Sequence, residues 1–145
     1  MPLITTQQLQ THLYAEVIAE IVRDDATIAD TAIAAAEGEV AGYLGRFDVQ
    51  GMFTTPSTAS GIGLANLQRI VKDVACWHLV KLANPNINIE LFRTLYEDAI
   101  AYLEKVMKGQ TDPPGWPPAP DDPDTPNNEA GAIEWTSNPK RTNHF

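Results

Sequence analysis

Histidine is the residue type in this chain best suited to acid–base catalysis or metal binding, and it occurs at His12, His78 and His144. The three residues lie in separate segments, and no two of them have the spacing of metal ligands on one helix. His78 follows Trp77 in an apolar stretch, where a packed structural histidine is expected rather than a catalytic one. The histidines therefore predict neither a metal site nor a general base.

The single cysteine, Cys76, excludes an internal disulfide and a cysteine-rich metal site. Its neighbours Ala75 and Trp77 belong to an apolar stretch, so we expect the thiol to be buried as a small hydrophobic group. A reactive thiolate needs access to solvent and cationic neighbours. Cys76 is therefore interpreted as a core residue and not as a nucleophile.

An acidic cluster suggests calcium, but its spacing does not fit. Asp24, Asp25 and Asp30 are close in sequence, yet Ala26 and Ile28 occupy positions where an EF-hand loop needs oxygen ligands. Helix capping and turn formation account for the three aspartates. The cluster therefore predicts no calcium site.

Two other catalytic patterns also fail. The two glycines of Gly61-Ile62-Gly63 stand before a predicted helix and could suggest a phosphate-binding loop. However, no predicted strand comes before them and no Gly-Lys-Ser/Thr follows. No serine lies in a Gly-x-Ser-x-Gly elbow. The sequence thus predicts a protein without catalytic residues, metal or cofactor.

Composition limits which classes of protein the chain can belong to. The chain has 145 residues, 43% of them hydrophobic, which is enough for one domain with a real core. No apolar run approaches the roughly eighteen residues of a membrane span, and residues 1–6 lack the pattern of a signal peptide. The net charge of −9, from 19 acidic and 10 basic residues, disfavours direct binding to a nucleic-acid backbone. We expect a protein of the cytosol in which it is made, with no membrane contact.

Apolar residues at helical spacing predict four helices over about residues 6–22, 27–45, 61–82 and 88–108. Thr5 or Thr6 can cap the first, and Thr27 with Asp30 resembles a capping box at the second. The third and fourth, joined by a short Asn/Pro turn, should pack as an antiparallel hairpin. The predicted buried face of the fourth helix consists of Ile89, Phe92, Leu95, Tyr96, Ala99, Ile100, Leu103 and Val106.

The segment between the second and third helices, residues 48–60, reads as a loop because glycine, threonine, proline and serine dominate it. Met52 and Phe53 within it are unusually apolar for a loop. They must either fold back on the helices or insert into a neighbouring molecule. We count both as candidate partner-binding residues.

Composition changes abruptly after Gly109. Residues 111–126 hold seven of the eleven prolines together with four aspartates, so they should be extended and unable to form a core. Beyond them, residues 132–136 could form one strand that adds to the exposed edge of a partner's sheet, with Trp135 in a pocket. The alternative is a disordered solubilising tail. The candidate partner-binding residues here are Trp116, Ile133, Trp135, Lys140, Arg141 and Phe145.

Together these patterns predict an all-α fold, a small four-helix bundle-like domain over residues 1–110 followed by an extended Pro/Asp-rich arm over residues 111–145. We expect removal of the chain after Gly109 to leave the helical domain intact.

The second predicted helix carries a family likeness. It is rich in alanine, ends in Gly42-Tyr43-Leu44, and is followed by Arg46 and Phe47. In this it resembles the phage head–tail connector proteins, particularly the Mu-like prophage connector family. The likeness continues through the third and fourth helices and covers roughly residues 1–110. The residues that carry it there are Leu67, Ile70, Asp73-Val74-Ala75, Trp77, Tyr96, Ala99, Tyr102-Leu103 and Lys108-Gly109.

The resemblance implies a structural role in the virion. Members of that family are adaptors that form a ring, commonly of about twelve copies, under the portal and link the head to the tail machinery. It implies the portal and tail or head-closure proteins as partners, at the head–tail junction, after assembly in the cytoplasm of the host bacterium. The loop at residues 48–60 is longer than the family's usual connection, and the arm lies outside the likeness.

A different class remains open on the residues alone: a small acidic helical binding module, like an antitoxin or immunity protein, that mimics nucleic acid. It would be a monomer or dimer with a basic partner, whereas a connector forms a closed ring on a portal. An enzyme is the third reading, and it would need a metal or cofactor that purifies with the protein.

Overall fold

A computed structural model describes residues 2–55, 58–59, 61–82 and 87–120. Helices dominate this part of the chain, and its strand-like pairing is limited to one isolated bridge, so the all-α prediction is confirmed. The helices are α1 (Thr6–Leu9), α2 (Ala15–Val22), α3 (Thr27–Gly42), α4 (Val49–Thr54), α5 (Gly61–Val80) and α6 (Ile89–Met107).

The first predicted helix is in fact two, α1 and α2, separated by residues 10–14. Thr5 caps α1 as expected: its hydroxyl accepts from the Gln8 amide at 3.3 Å, and the Gln8 side chain accepts from the Thr5 amide at 2.9 Å. Leu9 and Leu13 both remain buried across the break. The apolar spacing therefore survives the interruption, which is why the sequence pattern does not reveal it.

Helix α3 begins at Thr27 as predicted, but its cap differs. The predicted box between Thr27 and Asp30 is not formed; instead the Asp25 carboxylate accepts from the Thr27 amide at 3.0 Å. The helix ends at Gly42, before the predicted stop at Gly45, and the side chain of Leu44 then enters the core.

Residues 49–54 form helix α4 where a loop was predicted. Asp48 caps it by accepting from the Gly51 amide at 2.9 Å, and a Cβ at Gly51 would overlap that carboxylate. Six residues are fewer than two turns, so no helical period is readable there. The turn-forming residues of the 48–60 segment therefore hide a helix, which the burial of Met52 helps to stabilise.

Helix α5 lies between α3 and α6 and packs against both. Trp77 stacks on Tyr96, and Asn66 donates to the Tyr102 hydroxyl, so α5 and α6 run antiparallel as predicted. Asn88 caps α6, and Gly109 ends it with φ +71°. The predicted buried face of α6 is wrong at its start, where Ile89 and Leu95 are each 38% exposed.

Residues 111–120, here called the arm root, pack on the helices rather than projecting from them. Trp116 is 6% exposed, and its ring meets that of Phe47 edge to face at 5.4 Å. The Ala119 amide donates to the Arg46 carbonyl and the Asp48 amide to the Pro117 carbonyl, both at 3.0 Å. Proline keeps this backbone extended, yet an extended segment still pairs with residues 46–48 and delivers an indole to the core. The packed body therefore continues past residue 110.

Candidate functional site

Of the candidate partner-binding residues, three fall within the described ranges, and the body itself covers each of them at least in part. Met52 is fully buried, Phe53 is half-buried against the core, and Trp116 of the arm root is buried against Phe47 and Gly63. Of the apolar pair on the predicted loop, Met52 folds back into the core and Phe53 is only partly covered, so partner binding by this pair stays a prediction. Ile133, Trp135, Lys140, Arg141 and Phe145 lie outside the described residues.

A carboxylate joins the three long helices. Glu39 of α3 accepts from the Tyr96 hydroxyl of α6 at 2.6 Å, and its other oxygen lies 2.9 Å from Nε2 of His78 on α5. This hydrogen bond to Glu39 is the main reason that the pKa of Tyr96 rises to about 12. The opposite ring nitrogen of His78 lies 3.2 Å from Nζ of Lys81. These partners give His78 a structural role, tying helices that are distant in sequence.

A second polar cluster holds residues 10–14 against α5. Asp73 is 7% exposed; Nη1 of Arg69 donates to its Oδ2 at 3.0 Å, and Nε2 of His12 lies 3.7 Å from its Oδ1. Burial raises the pKa of Asp73 and lowers the pKa of His12, with the attraction between the two only partly opposing each shift. Both groups thus move toward their neutral forms. The cluster therefore holds the segment between α1 and α2 against α5.

The thiol of Cys76 is 1% exposed in α5. Burial raises its pKa to about 12, so almost no thiolate exists near neutral pH. The expectation that it packs in the core is confirmed.

Within the part of the chain that the structure describes, no three His, Cys, Asp or Glu side chains converge to hold a metal ion. Among those same residues, no helix combines the length and apolarity that crossing a bilayer requires.

The described surface carries an apolar patch, defined here as Tyr14, Leu91, Phe92 and Leu95. Tyr14 is 79% exposed, Leu91 53% and Leu95 38%, while Phe92 is half-buried. Tyr14, Leu91 and Phe92 line one groove of about 290 Å³ with residues 10–13, and Leu95 lies one turn beyond Leu91. Exposed apolar side chains gathered in one place mark interaction sites.

Two acidic residues lie next to this patch. Asp98 follows Leu95 on the same side of α6, and Glu16 follows Tyr14 at the start of α2. Arg93 is engaged locally, because its Nε donates to Glu97 at 2.8 Å. Glu90, Arg93 and Glu97 pair with one another on a different side of α6 from the patch. The Lys72 ammonium donates to the hydroxyl of Thr11, which lines the groove, at 3.2 Å.

Sequence reasoning missed this patch for a physical reason. Leu95 fits the apolar stripe of α6, and Leu91 lies one turn before it, so both resemble members of a buried face. Whether a stripe is covered depends on the neighbouring element, and here residues 10–14 line the groove beside Leu91 without covering it. The one available signal was the surplus width of the stripe at the start of α6.

Comparison with known proteins gives one finding of similarity. The model of a family described as Bacteriophage Mu, Gp36 matches residues 4–133. The matched range extends past residue 110, so the likeness includes the arm root and part of the arm, which the sequence analysis had placed outside it. No curated protein and no solved structure matches the chain.

Proposed function

The chain belongs to the Bacteriophage Mu Gp36 family, and we propose that within it this protein is a head–tail connector, a non-catalytic adaptor that forms a ring between the portal and the tail machinery. The observation that carries the proposal is the match over residues 4–133, which spans the helical body and continues into the arm. A phage structural or assembly protein follows from the family, and the connector role is our step beyond it.

Two features of the body support an assembly role. The polar contacts of Glu39 and Asp73 join helices and hold residues 10–14 against α5. The apolar patch, in contrast, leaves large side chains in water unless another protein covers them. A body whose polar contacts join its helices and whose surface carries an apolar patch suits a subunit of an assembly.

The partners we propose are further copies of this chain, the portal, and tail or head-closure proteins, in a ring of about twelve copies at the head–tail junction. Ile133, Trp135, Lys140, Arg141 and Phe145 are the proposed partner-binding residues of the arm. The acidic balance of −9 suits a channel through which DNA passes without adhering. The antitoxin-like alternative has no support from the family.

The proposal is tested by removing the gene from the phage and supplying it in trans. Without the protein, we expect completed heads and separate tails that do not join. Supplying the wild-type chain should restore joined particles. Normal joined, infectious particles in its absence would contradict the connector role.

A further inference from the structure

The apolar patch at the start of α6 has no cover from the described part of its own chain. We propose that it receives residues 133–145 of a second copy of this chain, so that neighbouring copies are linked by exchanged arms. This inference deepens the proposed function, since it names the contact that would join copies in the ring.

The chemistry of the two surfaces is complementary. The patch is apolar at its centre, with Tyr14 and Leu91 more than half exposed, and the acidic residues Glu16 and Asp98 lie next to it. Residues 133–145 contain the reverse combination, Trp135 among apolar residues with Lys140 and Arg141 nearby. Aromatic anchors bind in apolar pockets, and opposite charges at the edge set orientation and rate of association.

The arm root lies at the end of α6 that is far from the patch. Nη1 of Arg46 donates to the Val106 carbonyl at the end of α6 and to Asp112 of the arm root, each at 3.2 Å. Leu91 lies fifteen residues earlier on the same helix, which is about 22 Å away at 1.5 Å per residue. Each copy therefore carries the origin of its arm at one end of α6 and the patch at the other.

Because the arm begins at one end of α6 and the patch lies at the other, a head-to-tail contact between copies is favoured. Contacts of this kind continue from copy to copy and close into a ring when the rotation between copies permits. Residues 121–132 span up to about 37 Å if extended at about 3.1 Å per residue, enough to leave one body and reach the next. The same reach includes the chain's own patch, so the test must separate the two.

Cysteine cross-linking of the full chain distinguishes an arm bound to a second copy from an arm bound to its own body. The native Cys76 does not compete in this experiment, because it is buried. A tagged copy carrying Thr136→Cys is mixed with an untagged copy carrying Thr94→Cys, which lies beside the patch on α6, and a short bismaleimide is added. The matched control carries Gln50→Cys on α4, near the arm root. We expect about tenfold more mixed dimer with Thr94→Cys than with Gln50→Cys.

Surface variants show whether the patch itself is responsible. Leu91→Lys should lower the mixed cross-link about tenfold, while Ile62→Lys, at an equally apolar residue that is 79% exposed on α5, should leave it unchanged. Asp98→Lys should weaken it less and reduce its dependence on salt. Unchanged circular dichroism in each variant confirms folding.

Three outcomes would overturn the inference. The first is equal cross-linking to Thr94→Cys and Gln50→Cys, and the second is no mixed cross-link at all. The third comes from a double variant that carries both Thr94→Cys and Thr136→Cys, if its cross-links form only within one chain. The last would show the arm bound to its own body. Since the experiment needs no portal and no phage, its failure leaves the head–tail joining test intact, and the reverse also holds.

Discussion

The indole Nε1 of Trp116 donates a 2.8 Å hydrogen bond to the carbonyl oxygen of Gly63, which joins the arm root to the first turn of α5. The approach is close: a Cβ on Gly63 would stand 2.7 Å from the carbonyl oxygen of Pro114. Gly63 is thus required by the packing of residues 114–116, not by a phosphate ligand. The second glycine of the Gly61-Ile62-Gly63 stretch is therefore explained by the arm root.

This contact predicts that Gly63→Ala destabilises the protein by about 2 kcal/mol, because the methyl group forces the arm root off α5. Gly61→Ala is the matched control, since a Cβ there meets open space and the change should be neutral or slightly stabilising. Urea unfolding of the two variants gives the comparison. Equal stabilities would show that the arm root does not rest on Gly63.

Truncation provides a second prediction, and its outcome differs from the one expected of a helical domain that ends at residue 110. Ending the chain after Gly109 removes Trp116, and loss of a buried aromatic ring costs about 3–5 kcal/mol. Ending it after Pro120 keeps the arm root and should leave thermal unfolding unchanged. Far-UV circular dichroism melts of the two fragments and the full chain test this. A wild-type melt for the shorter fragment would contradict the packing described for Trp116.

Helix positions were largely predictable because local chemistry determines them. Thr5, Asn88 and Gly109 act at helix ends as their types indicate, and Thr27 begins α3. The helix pairing of α5 with α6 follows from their short connection. These features depend on residues close in sequence, where propensity and capping operate.

The errors share a different cause, since each depends on contacts between distant residues. Helix α4 owes its place to Met52 entering the core, and the arm root owes its place to Trp116 reaching α5. His12 and Asp73 are 61 positions apart and meet only in the fold. A single sequence contains no signal for such pairings, so the buried indole and the open patch both escaped prediction.

The pair of His12 and Asp73 predicts a pH effect. Burial lowers the pKa of His12 below its ordinary 6.5, so between those values the unfolded chain binds more protons than the folded one. The contribution of His12 to the free energy of unfolding is therefore fully present above pH 6.5, and it is lost as the pH falls through the pKa of His12 in the folded protein. Asp73, whose pKa burial raises above 3.8, has the opposite sign: its contribution is present below 3.8 and is lost as the pH rises through its folded pKa.

We accordingly expect the stability of wild type relative to His12→Asn to fall between pH 7.5 and pH 5.5, by less than about 1.4 kcal/mol per pH unit. Urea unfolding of both proteins at the two pH values measures it. A relative gain for wild type on acidification would mean that attraction between the imidazolium and Asp73 outweighs burial.

Cys76 predicts a chemical outcome. With a pKa of about 12 and 1% exposure, its thiol should react with a disulfide reagent at pH 8 at least about a hundredfold more slowly in the native protein than in urea. Cys76→Ala should fold and should support head–tail joining. Rapid labelling of the native protein, or loss of joining by a folded Cys76→Ala protein, would reveal a role that its burial does not explain.

The connector role is tested most directly by electron microscopy of the purified chain mixed with the portal protein of the same phage. The chain alone should be monomeric or weakly associated. With portal it should form one ring of about twelve copies on one end of the portal, seen as added density along the same symmetry axis. A tight dimer that is unchanged by portal, with no added density on the portal ring, would contradict the account.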